Sequence, residues 1–185
     1  MINISRICIL IVSLLVLGSC IWGWGSDWWA WLSTYKWDGF ALWVPSNWDV
    51  LGASSWILPT PSSGEIVLAA SSTTVRNGFS NNIIVLEEET DVWTSSEEFT
   101  KVTYTSSKDD YYYHNQKEEK SISFSDEWSS TLYIFEAKYN KNTPSLQFLQ
   151  TGRICWDQTY LMTIAVWTLW NSGIYENILK TFECK

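Results

Sequence analysis

Apolar runs alternate with short turn-forming segments along most of the chain. Several runs are nearly continuous, as expected of strands that are buried on both faces of a sheet. Only a few turn-like residues separate the later runs, which favours antiparallel hairpins. The pattern predicts strands at seven places: 40–44, 65–70, 82–87, 121–125, 131–139, 145–155 and 159–166.

Two segments carry helical signals. Thr94 or Ser95 can cap a first helix in which Phe99 and Val102 face inward. A closing helix over 172–182 has apolar residues at helical spacing. The polar stretch 106–120 is predicted to be mainly a loop with a short strand-like piece. Strands, a helix, more strands and a final helix indicate an α+β fold with helices packed on an antiparallel sheet.

The N-terminus is typical of a secreted protein. An apolar run from Ile7 to Leu17 is too short for a membrane span of about 20 residues. It ends in Leu17-Gly18-Ser19-Cys20, which resembles the lipobox of bacterial lipoproteins, although an uncleaved anchor or a buried helix is the alternative. We therefore expect a signal peptide at 1–19, a lipidated Cys20 carrying palmitate or a similar acyl group, a flexible tether at 20–36 and one domain at 37–185.

The remaining cysteines are candidates for a disulfide bond. With Cys8 in the signal peptide and Cys20 lipidated, Cys155 and Cys184 are left for pairing in an oxidising compartment. Two free buried thiols are the alternative. No metal-ligand spacing links these cysteines to His114, the single histidine.

Tryptophan is unusually frequent and occurs where glycine is expected. The chain has 14 tryptophans and 9 glycines, and many of the tryptophans fall in the predicted tether. Trp93, Trp128 and Trp156 also occupy turn-like positions. One hypothesis is that many of these codons are UGA, which some bacteria read as glycine; Trp48 looks like a true tryptophan. The alternative is an aromatic tether that seeks the membrane interface.

The order of these elements resembles the PsbP-like family. The resemblance rests on Phe40 in the first strand, the turn Pro45-Ser46-Asn47-Trp48, the helix start at 94–99 and the closing segment 175–184. It implies an α-β-α sandwich around a central antiparallel sheet, in proteins that work at the lumenal or extracytoplasmic face of membranes. The plant members assist the photosynthetic oxygen-evolving complex, an activity that fold alone does not transfer. No functional residue of the family maps onto this chain.

Charge and residue inventory disfavour several functions. A net charge of -8 with 12 basic residues argues against nucleic-acid binding. A Ser-His triad is not expected, because His114 is the single histidine, lies in a polar stretch and is predicted to be an exposed loop residue. The acidic runs at 87–91 and 109–110 are expected to be solvated surface, without a calcium-loop pattern or any cofactor motif.

The sequence therefore favours a lipid-anchored extracytoplasmic lipoprotein that is not an enzyme and needs no cofactor. We expect its domain to bind a protein partner or to stabilise an envelope assembly. The run Tyr111, Tyr112 and Tyr113 is a candidate binding patch, with a half-buried edge strand as the alternative. A lipoprotein that binds a small molecule or calcium in a pocket between sheet and helix is the alternative function.

Overall fold

The computed structural model describes residues 32–51, 61, 63–89, 94–167 and 172–185. Outside the described residues lie the predicted signal peptide, Cys20 and the first part of the predicted tether with its tryptophans. Trp93 also lies outside them. The fold within the described part is α+β, built from two antiparallel sheets and two α-helices.

The larger sheet has seven strands in the spatial order β3-β4-β5-β9-β8-β7-β6, all antiparallel neighbours. Its strands are β3 Trp48–Leu51, β4 Glu65–Ser72, β5 Asn82–Glu88, β6 Tyr113–Ser123, β7 Ser129–Lys138, β8 Leu146–Cys155 and β9 Gln158–Trp167. The smaller sheet pairs β1 Leu32–Trp37 and β10 Glu183–Cys184 with the central strand β2 Phe40–Pro45.

The first helix, α1, spans Ser96–Ser107 and continues into a 3-10 turn at Lys108–Asp110. Its predicted cap is confirmed, because the Ser95 hydroxyl accepts a hydrogen bond of 3.1 Å from the Glu98 backbone nitrogen. Phe99 is buried as expected, but Val102 is 61% exposed and Tyr104 is buried instead. The inward stripe of α1 passes through residues 99, 100 and 104, so position 102 turns to solvent.

The two faces of the larger sheet carry separate apolar clusters. Along β7, Leu132 and Ile134 belong to the main core, whereas Tyr133 and Phe135 point to the opposite face and pack with Tyr104 of α1. The main core also holds apolar residues of β2 and of the second helix, α2 Ser172–Lys180. The helices therefore contribute to different faces of one antiparallel sheet, and the expected α+β class is confirmed.

Three features of the structure differ from the sequence-based expectations. The strand β1 Leu32–Trp37 lies largely within the segment predicted as a tether; it was not predicted, because it is largely polar, lies at an edge of the small sheet and has no strand-like apolar run. The stretch 106–120 is largely strand, since β6 starts at Tyr113 and its polar residues lie on an exposed edge strand. The short strands β3 and β10 were not predicted from the sequence.

The predicted disulfide between Cys155 and Cys184 is confirmed. The two Cα atoms are 5.6 Å apart, and the bond joins the end of β8 in the larger sheet to β10 in the smaller one. It therefore connects the C-terminal strand covalently to the main sheet.

Candidate functional site: the tyrosine end of the sheet

Strand register defines two ends of the seven-stranded sheet. At one end, Tyr113 begins β6 opposite Lys138 of β7, and Leu146 of β8 pairs with Trp167 of β9. At the other, Cys155 closes β8 at the turn into β9. We call these the tyrosine end and the disulfide end.

Tyr111 anchors an aromatic cluster at the tyrosine end. Its ring centroid lies 5.3 Å from that of Tyr139, 5.4 Å from that of Phe148 and 5.8 Å from that of Phe135. Burial, reinforced by the neighbouring Tyr139, raises the pKa of Tyr111, so its hydroxyl stays protonated at neutral pH. Of the predicted patch residues, Tyr111 is therefore half-buried and packs beneath the exposed tyrosines as a structural support.

The other two predicted residues are exposed, and Tyr112 lies near Tyr139, a tyrosine that the sequence analysis missed. Tyr112 is 60% exposed and Tyr113 is also exposed, while Tyr139 is 55% exposed and contacts Tyr111. The ammonium group of Lys141 lies 5.7 Å from the centroid of the Tyr112 ring, within cation-π range. We call the exposed surface of Tyr112 and Tyr139 the tyrosine patch. Tyr113 is not part of it, because its pairing with Lys138 points its side chain to the opposite face of the sheet.

Tyr139 and Lys141 were missed because they are about 30 residues away from Tyr112 in the sequence. They lie in the turn between β7 and β8, where Asn140 and Thr143 form a compact network of backbone and side-chain hydrogen bonds. The Tyr113–Lys138 pairing brings this turn beside the tyrosine run. An Asn-rich turn after a Tyr-ended strand was the available sequence signal.

His114 is not the exposed loop residue that the sequence indicated. It lies in β6, half-buried, with its ring stacked 4.7 Å from Phe135. Its Nε2 atom is buried and has no hydrogen-bond partner within the described structure. Burial, followed by the charge of Lys108, lowers the pKa of His114 and favours the neutral ring.

Tyr104 fixes α1 against the sheet beside this cluster. Its ring stacks on Tyr133 with centroids 3.9 Å apart, and its hydroxyl donates a 3.1 Å hydrogen bond to Oε1 of Gln116. Burial raises the pKa of Tyr104 to about 12, with smaller contributions from Tyr133 and Glu119. The patch therefore stands on a rigid aromatic support, which lowers the entropy lost when a partner binds.

The described part of the acidic run 87–91 lies at the disulfide end of the sheet. Glu87, Glu88, Glu89, Glu65 and Asp157 border a shallow hollow of about 550 Å³. Burial raises the pKa of Glu88, opposed by a hydrogen bond from Ser63. Throughout the described ranges, no group of three or more His, Cys, Asp or Glu side chains is placed to hold a metal ion.

Two larger hollows flank α1. One, of about 730 Å³, lies between α1 and the sheet and is bordered by Glu97, Glu98, Lys101 and Glu119. Inside this charged rim lie Val102, Thr131 and Tyr133, so the hollow is where the alternative function would place a small molecule. The second, also about 730 Å³, lies next to the disulfide bond.

Arg153 borders this second hollow, and its side chain makes contacts that stabilise the fold. It forms an ion pair of 3.3 Å with Asp126, whose Oδ2 also accepts a hydrogen bond from the Cys184 backbone nitrogen. A terminal nitrogen of Arg153 donates to the Ile154 carbonyl at 2.6 Å. These contacts bind the C-terminal strand to the sheet.

The described helices include none that is long and apolar enough to cross a membrane.

Comparison with known proteins identifies the fold. No protein-family model matches the chain, and no curated protein matches it in sequence. Among solved structures, it is similar to the solution structure of cyanobacterial PsbP (CyanoP) from Synechocystis sp. PCC 6803, with a TM-score of 0.56 and 12% sequence identity. The match covers 84% of this chain and 94% of that one. The resemblance drawn from the sequence is thus confirmed at the level of fold: the chain has a PsbP-like fold.

Proposed function

We propose that this protein is a lipid-anchored extracytoplasmic lipoprotein whose non-catalytic PsbP-like domain binds a protein partner through the tyrosine patch. The observation that carries the proposal is that exposed Tyr112 and Tyr139 lie beside the packed rings of Tyr111 and Phe148, with Lys141 of the same turn as Tyr139 contacting the Tyr112 ring. The lipobox at Leu17-Gly18-Ser19-Cys20 supports the anchoring. The similarity to CyanoP supports the α-β-α arrangement of the domain.

Tyrosine suits such a role for physical reasons. Each ring offers a large contact area with only two side-chain torsions to order, and the hydroxyl can donate or accept a hydrogen bond. Tyr139 is held against Tyr111 and Phe148, so part of that ordering exists before a partner arrives. Tyrosine is also enriched among the residues that dominate interface energies.

The chemistry of the described residues favours binding over catalysis. The half-buried ring of His114 packs among aromatic side chains, and its buried Nε2 atom has no hydrogen-bond partner in the described structure. A general acid-base pair needs two groups with different environments facing one substrate position.

Affinity purification of the full chain from its native membranes tests the proposal. The double variant Tyr112→Ala/Tyr139→Ala should reduce recovery of the partner by about tenfold or more, as expected when interface residues of this kind are truncated. Val102→Ala is the matched control, because Val102 is equally exposed but lies on α1. Equal recovery with both variants would remove the tyrosine patch from the binding surface.

Anchoring has its own test. Cys20→Ser should move the chain from the membrane fraction to the soluble extracytoplasmic fraction, since the remaining segment has no acyl group to insert. Mass spectrometry of the native N-terminus should find acyl chains on Cys20. A chain that stays membrane-bound after Cys20→Ser would contradict lipid anchoring at this residue.

A further inference from the structure

We propose that position 156 is glycine in the protein as its own organism makes it, encoded by a UGA codon that this organism reads as glycine. The proposal stands on the backbone conformation of one hairpin loop and does not depend on the proposed function. It bears on the alternative function, because residue 156 borders the hollow next to the disulfide bond.

Residue 156 is the first residue of a tight hairpin loop. Trp156 and Asp157 connect β8 to β9, and the pairing of Cys155 with Gln158 closes the loop. Trp156 has a φ of +58° and is the one of these two residues with positive φ. A two-residue hairpin loop with positive φ at its first position alone corresponds to a type II′ turn, in which that position is glycine.

This backbone conformation specifies glycine for a steric reason. The first central position of a type II′ turn has the mirror image of an extended backbone conformation. An L-residue with a bulky side chain is an outlier at positive φ, because its Cβ atom is forced against neighbouring peptide atoms. Glycine has no Cβ atom and adopts positive and negative φ about equally well.

Contacts on both sides of the loop hold its conformation in place. Cys155 is buried and is joined to Cys184 by the disulfide bond. The side-chain oxygen of Gln158 accepts a hydrogen bond of 2.5 Å from the Tyr160 hydroxyl. Because both closing residues are fixed, the loop cannot change its shape to suit a tryptophan without disturbing these contacts.

Two other tight loops of the described chain have the residues that positive φ requires. Asn77 and Gly78 both have positive φ, as in a type I′ turn, and two backbone hydrogen bonds close their loop. In the loop of Asp38 and Gly39 between β1 and β2, the residue with positive φ is Gly39. These positions carry asparagine or glycine, the residues that enter the left-handed region most readily, whereas position 156 does not.

The indole of Trp156 gains no packing that would offset this strain. It is 84% exposed, and within the described ranges it forms no ring stacking or cation-π contact. Stabilisation by an apolar side chain scales with the area that it removes from water, so this ring contributes little. Glycine at position 156 would remove the strain and lose almost no burial.

Trp48 differs from Trp156 in each of these respects. It is half-buried, packs against the main core and has its ring 6.4 Å from that of Tyr175. It is not among the described residues with positive φ. Trp48 is therefore a true tryptophan, as the sequence indicated, and the proposal does not extend to it.

Trp128 also differs, although it is exposed. The left-handed residue of its turn is the preceding Glu127, and the Arg153 guanidinium lies 5.0 Å from the Trp128 ring. The prediction that position 128 itself needs a glycine conformation is therefore wrong.

Glycine at position 156 changes the hollow next to the disulfide bond. Trp128 and Trp156 are the aromatic residues that border this hollow. Without the second indole, the hollow has less apolar surface for a small molecule to contact, and ligand pockets depend on such surface. The small-molecule alternative therefore draws no support from this hollow.

Tandem mass spectrometry of the protein purified from its own organism tests the proposal. After reduction and tryptic digestion, the peptide that begins at Ile154 should carry glycine at position 156, located by its fragment ions. The peptide that contains Asn47 should carry tryptophan at position 48, which is the matched control. In the gene, the codon for position 156 should be UGA and that for position 48 UGG.

Glycine at position 156 beside tryptophan at position 48 would support the proposal. Tryptophan, or any residue other than glycine, at position 156 would overturn it, and so would a UGG codon there.

Discussion

The hydroxyl oxygen of Thr100 in α1 accepts a hydrogen bond of 2.8 Å from the backbone nitrogen of Gly152 in β8. The same hydroxyl donates to the Ser96 carbonyl at 2.6 Å and lies 3.0 Å from the hydroxyl of Ser130. This contact is possible because Gly152 has no side chain: a Cβ there would be 2.5 Å from the Phe99 ring. Helix and sheet are thus joined by a polar contact within an apolar layer.

Gly152→Ala should therefore destabilise the domain by about 1–3 kcal/mol, since the added methyl group must displace Phe99 or shift α1. The free energy of unfolding, from urea titration followed by circular dichroism, measures this change.

Thr100→Val should cost a similar amount, about 1–3 kcal/mol, because it removes the acceptor of the buried Gly152 nitrogen. Thr105→Val is the matched control: Thr105 is exposed on the same helix, and its hydroxyl bonds the Lys101 carbonyl. The control should change stability by at most about 0.5 kcal/mol. Equal effects of the two valine variants in the same urea titration would show that the Thr100–Gly152 contact contributes nothing.

Loss of the disulfide should lower stability substantially. The Cys155–Cys184 bond closes a loop with a sequence separation of 29, for which chain-entropy arguments give about 3–4 kcal/mol. The double variant Cys155→Ser/Cys184→Ser should therefore unfold at clearly lower urea concentration than the oxidised protein. Non-reducing peptide mapping should find the two cysteines linked, and two alkylatable thiols in the native protein would contradict the bond.

Stability should fall in mild acid because of His114. Its pKa is lowered in the folded state, so the unfolded chain binds the proton more readily. This contribution is complete above the unfolded pKa of about 6.5 and is lost as the pH falls from there toward the lower folded value. Between about pH 7 and 5.5, the melting temperature should decrease more for the unmodified protein than for His114→Gln. Parallel decreases in both would refute the role of this ring.

Trp156 and Trp48 should respond oppositely to replacement by glycine. Trp156→Gly relieves a left-handed side-chain conformation and should stabilise the domain by about 1 kcal/mol. Trp48→Gly removes a half-buried ring from the core and should destabilise it by about 2 kcal/mol or more. Urea titration of both variants gives the comparison, and destabilisation by Trp156→Gly would mean that the exposed indole makes a contact of real value.

The apolar runs determined most of the strands, because burial on a sheet requires the hydrophobic periodicity that the sequence displays. The seven predicted runs all fall on strands of the structure, and Ser95 caps the predicted helix. The pairing of Cys155 with Cys184 followed from there being two cysteines left after the predicted lipobox. The PsbP-like resemblance came from the order of these elements along the chain.

Tertiary structure alone decided which residues share a surface. Edge strands such as β1 and β6 are polar because one side faces water, so their residues carry no burial signal. Tyr139 lies near Tyr112 only through the register of β6 on β7. His114 is half-buried only because the same pairing brings its ring onto that of Phe135. Local sequence reports the preference of a segment for burial; pairing between distant segments determines what is buried and what remains exposed for binding.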